Sequence, residues 1–196
     1  MAVTEQMKEL EETLIIRNRK GVIMWKVRDY QQEGWMASGP LINLIMGKHI
    51  DIVVSNAAAN PTLDHILAIE ESSLDKLWEI NVKALILLLK DVAPYLCKGS
   101  FVILISSVAG YQPGQSMSMY AVTKMALLGL TKALAAEMSP NTNVNYIAPR
   151  FVPSHLLRSN PIVNQSFSGV IKNQILFNKL GTTSDMGAAA VFLASE

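Results

Sequence analysis

The chemistry most legible in this chain lies in the stretch Tyr120-Ala-Val-Thr-Lys124. Two side chains four residues apart on a helix share one side of it, so the lysine ammonium stands near the tyrosine ring. A lone phenol, with a pKa of about 10, is a poor acid or base at neutral pH. A neighbouring ammonium favours the phenolate and lowers that pKa. Tyr120 can then pass a proton to or from a carbonyl or alcohol oxygen. Ser107 closes the apolar run Phe101 to Ile105, and its hydroxyl can donate a hydrogen bond to the same oxygen. Taken singly these signals are weak. Tyrosine and lysine at this spacing occur in many helices, and Ser106-Ser107 alone reads as a strand end or a helix cap.

The elements that must hold these residues follow from periodicity. Asp51 to Ser55 is a short apolar run that predicts a buried strand. Ser73 to Leu96 has helical spacing, with Leu74, Leu77, Trp78, Asn81, Leu85 and Leu88 recurring three or four apart. Phe101 to Ile105 predicts a second buried strand. Met119 to Met138 predicts a long helix, stopped by Ser139-Pro140. Asn143 to Ala148 predicts a third strand, Pro149 to Asn164 a proline-punctuated loop, and Asp185 to Ser195 a last helix. Strands alternating with helical crossovers form βαβ units, hence an α/β fold with a Rossmann-like, doubly wound parallel sheet. Ligands in such sheets sit beyond the carboxyl ends of the strands. That focuses attention on Ser55-Asn56-Ala57-Ala58, Ser106-Ser107 and Pro149-Arg150. Residues 1–50 are less regular. Thr4 to Ile16 reads as a charged helix, Gly21 to Val27 as a short strand and Pro40 to Met46 as the first turns of another helix.

Composition bounds the function. With 196 residues, half of them hydrophobic, the chain can bury one globular core. A formal net charge of +1 exerts no global pull on nucleic acid or an anionic membrane. The basic residues Lys8, Arg17, Arg19, Lys20, Lys26 and Arg28 have no aromatic platform beside them and read as a solvated face. His49, His65 and His155 lack ligand spacing and Cys97 is the sole cysteine, so no metal site is expected. No apolar run has membrane-spanning length. With neither a secretory signal nor a C-terminal peroxisomal tripeptide, the default expectation is cytoplasmic.

The motifs in order resemble those of the short-chain dehydrogenases/reductases. That family shows a strand ending Asn-Ala-Gly, a helical Asn, a strand ending in Ser, Tyr-x-x-x-Lys thirteen residues on, then Asn and Pro-Gly. The corresponding stretches are Asp51-Ile-Val-Val-Ser-Asn56-Ala57-Ala58, Asn81-Val-Lys83, Ile103-Leu-Ile-Ser-Ser107, Tyr120 with Lys124, Val144-Asn145 and Ala148-Pro149. Ser55 to Pro61 and Lys132 to Glu137 look like the carbonyl-reductase, tropinone-reductase-like branch, which includes peroxisomal plant enzymes.

The resemblance implies an NAD(P)-dependent oxidoreductase that interconverts a small carbonyl and a secondary alcohol, with NADP slightly preferred over NAD. It implies Tyr120 as acid/base, Lys124 as its activator and ribose ligand, Ser107 as the carbonyl-orienting group, and Asn81 as holder of a water leading to Lys124. It places Asn56 and Ala57 on the adenosine side, and Pro149, Val152 and Ser154 at the nicotinamide. It also implies a homo-oligomer formed through helices 73–96 and 117–138.

The chain departs from the family pattern in three places. No glycine-rich cofactor loop stands among Gly21, Gly34, Gly39 and Gly47, Arg150 follows Pro149 where the family has Gly, and the chain ends at Glu196. The sequence therefore reads as a single, N-terminally incomplete domain, with an atypical region 1–50 and a family-like catalytic part 51–196. A catalytically silent paralogue that folds or pairs with full-length relatives is the alternative.

Overall fold

The computed structural model describes residues 13–18, 21–26, 49–60, 65–114, 117–152 and 180–195. Three parallel strands carry the site: β3 (Ile50–Ser55), β4 (Leu96–Ile105) and β5 (Thr142–Ile147). Ahead of them in sequence come β1 (Thr13–Asn18) and β2 (Gly21–Lys26), and the five strands lie side by side in the order β2-β1-β3-β4-β5. Ile52 pairs with Phe101 and Ser55 with Leu104, while Leu104 pairs with Tyr146 and Ile105 with Ile147. The carboxyl ends of β3, β4 and β5 therefore open on one edge of the sheet.

Side-chain alternation divides the core between two faces. Val53, Val102, Leu104 and Val144 pack with Leu85, Leu88, Leu89, Val92 and Leu127 on one face. Val54 and Ile103 pack with Ala190 on the other. The first face is covered by α1 (Glu71–Trp78), α2 (Ala84–Val92) and α3 (Ser118–Met138); the second takes α4 (Thr183–Leu193). A capping box at Thr182 and Asp185 starts α4. Helices on both sheet faces give the expected Rossmann-like α/β architecture.

Two expectations are corrected. Thr13 to Ile16, read as the end of a charged helix, belongs to strand β1. The three β-branched residues in Thr13-Leu-Ile-Ile outweigh the acidic, helix-like composition before them; residues 4–12 lie outside the described residues. The sheet is also not wholly parallel. Strand β1 runs antiparallel to both neighbours, with Leu14 opposite Ser55, Arg17 opposite Ile52 and Asn18 opposite Gly21. A connection of two residues joins β1 to β2, too short for a crossover and suited to a hairpin. The short strand expected at 21–27 is β2, and the helix expected at 40–46 lies outside the described residues.

The helix expected over 73–96 starts slightly earlier and is interrupted. Between α1 and α2, Glu79–Lys83 forms a π-helical turn, and Ala93–Tyr95 tightens before β4 begins at Leu96. Gly99 in β4 has φ +81°, a conformation glycine adopts without strain, and its N–H donates to the Asn141 carbonyl at 2.7 Å. No described helix is long and apolar enough to cross a membrane. Among the described residues no group of three His, Cys, Asp or Glu side chains could hold a metal ion.

Candidate active site

The site is built where β4 and β5 end. Hydrogen bonding between them continues past the strands: Ser106 N–H donates to the Ile147 carbonyl at 2.8 Å, and Val108 N–H to the Pro149 carbonyl at 2.9 Å. That fixes Ser107 at the mouth of the sheet, in extended backbone, where its hydroxyl accepts from Ala109 N–H at 3.1 Å and caps a 3₁₀ turn, Val108–Gly110. Gly110 lets that turn lie directly on α3. A Cβ there would sit 3.1 Å from the Lys124 carbonyl carbon and 3.1 Å from the Met125 nitrogen, so a larger residue would push the turn and helix apart.

Helix α3 presents Tyr120 and Lys124 inward, both buried. Tyr120 shares a side-chain hydrogen bond with Ser107. The Lys124 ammonium lies 5.6 Å from the centre of the Tyr120 ring and donates to the Ile105 carbonyl at 2.9 Å. The phenol, the ammonium and the serine hydroxyl predicted from sequence therefore meet at one place. Met117, just before the helix, and the start of α3 put the phenol in the first turn, with Ser106 Oγ donating to the Lys124 carbonyl at 2.8 Å one turn on.

Electrostatics differ from the sequence expectation in one respect. Burial pushes the Tyr120 phenol up to about 12, only partly offset by the hydrogen bond to Ser107, whereas the lysine was expected to bring it down. Burial likewise pulls the Lys124 ammonium down to about 8. Desolvation opposes both charged forms, so at neutral pH the phenol holds its proton and the amine remains charged.

Asn81 sits on the π-helical turn, 2% exposed. Its Oδ1 accepts from Ala59 N–H at 2.7 Å, and its Nδ2 donates to the Ala59 carbonyl at 3.0 Å and to Thr123 Oγ1 at 3.0 Å. It thereby ties the segment after β3 to α3. Asn56 and Ala57 lie on that segment, half-buried. Pro149 and Val152 lie beyond β5, with Pro149 joined to the 3₁₀ turn and Val152 against Gly181. Ser154 falls outside the described residues, and Arg150 is exposed. Sequence reasoning passed over Thr123 and Gly110, and gave Ser106 no role of its own. The only signal was a threonine in the turn between Tyr120 and Lys124, with small residues flanking Ser107.

Residues 43–196 match the family described as enoyl-(acyl carrier protein) reductase. That match spans most of the chain and includes every element that builds the site. The chain belongs to the short-chain dehydrogenase/reductase family. Among curated members, the short-chain dehydrogenase/reductase SDRA of Arabidopsis thaliana is 60% identical over 147 residues, covering 75% of this chain and 58% of that protein. Tropinone reductase-like 3 of Erythroxylum coca is 57% identical over 151 residues, covering 75% of this chain and 57% of that protein. These place this short-chain dehydrogenase/reductase in the tropinone-reductase-like branch. The chain spans under three fifths of the length of these relatives. A short-chain dehydrogenase from Burkholderia cenocepacia in complex with NADP has the same fold, with TM-score 0.70 at 21% identity over 82% of this chain and 64% of that one. A glucose/ribitol dehydrogenase of the family from Brucella melitensis superposes with TM-score 0.74 at 22% identity, again over 82% of this chain and 64% of that one. The family match of this short-chain dehydrogenase/reductase begins well after β1 and β2, the two strands that depart from a parallel sheet.

Proposed function

We propose that this chain is an NAD(P)-dependent oxidoreductase that interconverts a small carbonyl compound and a secondary alcohol, with Tyr120 as the acid/base. The observation that carries the reading is the buried meeting of Ser107, Tyr120 and Lys124, with a serine hydroxyl on the phenol and an ammonium beside the ring. The residues fit the nicotinamide–ribose half of a dinucleotide. Lys124 Nζ carries three protons, and among the described residues its one hydrogen-bond acceptor is the Ile105 carbonyl. The other two suit ribose hydroxyls. Asn56 and Ala57 would line the adenosine side, and Pro149 and Val152 the nicotinamide. The solved relatives in complex with NADP and with NADH support this cofactor class.

A bound nicotinamide cofactor supplies or accepts the hydride at the substrate carbon. In the direction of reduction, Ser107 donates a hydrogen bond to the carbonyl oxygen and holds it beside the phenol. Tyr120 gives its proton to that oxygen as the alcohol forms. Lys124 stabilises the phenolate left behind, and Tyr120 regains a proton before the next turnover. The protonated phenol at neutral pH suits this direction. The test is purified full-length protein with NADPH or NADH and a panel of small ketones, together with calorimetry. Micromolar cofactor binding and ketone-dependent loss of absorbance at 340 nm are the expected results. Well-folded protein that does neither would reject the reading.

One observation favours a second reading, a catalytically silent relative. Strand β1 lies antiparallel against β3, beside the site's adenosine side, and no glycine-rich loop occurs in residues 1–50. Such loops bring backbone N–H groups to a pyrophosphate. The same calorimetry separates the two, since a silent relative binds no cofactor.

The proposal extends to a homo-oligomer through the helices of one face. Trp78, Ile86, Val122 and Met125 are exposed large apolar residues on α1, α2 and α3. Light scattering at micromolar concentration should give at least twice the mass of 21.5 kDa, and a monomer would remove this part.

A further inference from the structure

We infer that Thr123 is a positioning residue for the Tyr120–Lys124 pair, linked through Asn81 to the segment that follows β3. The inference rests on the proposed role of that pair and adds a residue to it. Thr123 is fully buried in the helical turn between the two. Its hydroxyl proton goes to the Tyr120 carbonyl at 2.7 Å, and its oxygen accepts from Asn81 Nδ2 at 3.0 Å. Asn81 in turn grips both the N–H and the carbonyl of Ala59, at 2.7 Å and 3.0 Å.

The direction of every bond is forced. A hydroxyl has one proton to give, and Thr123 spends it on Tyr120. It can meet Asn81 only as an acceptor, so Asn81 must present its nitrogen there. The same orientation puts Oδ1 on the Ala59 N–H. A flipped amide would set donor against donor at Ala59 and acceptor against an oxygen at Thr123, so the network has one arrangement. Mid-helix threonines commonly bond back to a preceding carbonyl. Here that bond has a second partner from a sequence-distant helix. The π-helical turn at Glu79–Lys83 adds a residue to the helix where Asn81 faces inward, and such turns recur at functional sites. The path Ala59–Asn81–Thr123–Tyr120 thus joins the segment bearing Asn56 and Ala57 to the phenol's own backbone.

The experiment compares Thr123→Val, which keeps the shape and loses the hydroxyl, with Thr123→Ser, which keeps the hydroxyl, in the full chain. Two readouts do not depend on turnover. Amide hydrogen exchange reports Ala59. The pH titration of the Lys124 side chain, followed by ¹³C NMR and assigned with Lys124→Met, reports the catalytic turn. In Thr123→Val, Ala59 should exchange roughly tenfold or more faster, with amides in β4 and β5 unchanged. Lys124 should titrate above its value of about 8, toward 10.5, as the loosened turn admits water. Thr123→Ser should match wild type in both. If wild type turns over ketones, kcat in Thr123→Val should fall about ten- to a hundredfold while the cofactor KM changes little. An unchanged Ala59 or an unchanged Lys124 in Thr123→Val overturns the inference, as does uniform acceleration of all amides, which marks a general loss of stability. Wild-type protein without turnover sinks the proposed function but leaves these two readouts to decide this point.

Discussion

Tyr120→Phe should lower kcat for ketone reduction by roughly 10²–10⁴-fold with cofactor KM little changed. The change removes one oxygen from a buried ring and leaves the packing of the first turn of α3 in place. What disappears is the proton for the substrate oxygen and the partner of Ser107. Initial rates with a responsive ketone, alongside thermal melts to verify folding, provide the check. A variant within tenfold of wild type would remove Tyr120 from the mechanism. The wild-type pH profile carries a related signature. The phenol stays protonated up to about 12, whereas the ammonium beside it is lost as pH rises through about 8. Reduction should therefore hold level below pH 8 and decline above it, provided cofactor binding leaves the lysine near that value.

Lys124→Met should abolish most turnover and, in protein without added cofactor, remove the pH dependence of stability attributable to this site. The lysine titrates near 8 when folded, against 10.5 when free. Between these values the unfolded chain binds more protons than the folded one, so wild-type stability rises with pH across that window. Below pH 8 the burial penalty is present in full. The shift from 10.5 to about 8 corresponds to on the order of 3 kcal/mol. Methionine fills similar volume without a charge and has no such penalty. The difference in unfolding free energy, variant minus wild type, should thus fall by about 3 kcal/mol between pH 7 and 10.5. Denaturant melts at several pH values measure it. A difference that stays constant with pH would mean the ammonium is hydrated in the folded chain.

The half of the molecule that brings Ser107, Tyr120 and Lys124 together was legible because its signals are local and ordered. Helical spacing sets Tyr120 and Lys124 on one side of α3, and an apolar run ending at Ser107 delivers the hydroxyl. The sign of the phenol's shift was not legible, since it depends on how much water the fold removes, and burial exceeds the lowering by the Ser107 hydrogen bond. Thr123 was missed for a related reason. Its partners, Asn81 and the Tyr120 carbonyl, become visible only once two helices are packed together. The first strands were the least legible. An acid-rich stretch looks helical by composition, and whether a β-branched segment pairs parallel or antiparallel is decided by the connection and the neighbouring strand. At β1 the two-residue link to β2 decides it.

That antiparallel pairing has a consequence for solubility. Strand β3 reads Ile-Asp-Ile-Val-Val-Ser, and its side away from β4 would present bare backbone donors and acceptors along a mostly apolar strand. Such a border is a template on which a second molecule can add a strand, the first step of aggregation. Leu14 to Arg17 occupy it. The β1–β2 ribbon thus covers the border of β3 and moves the exposed edge of the described sheet outward to β2.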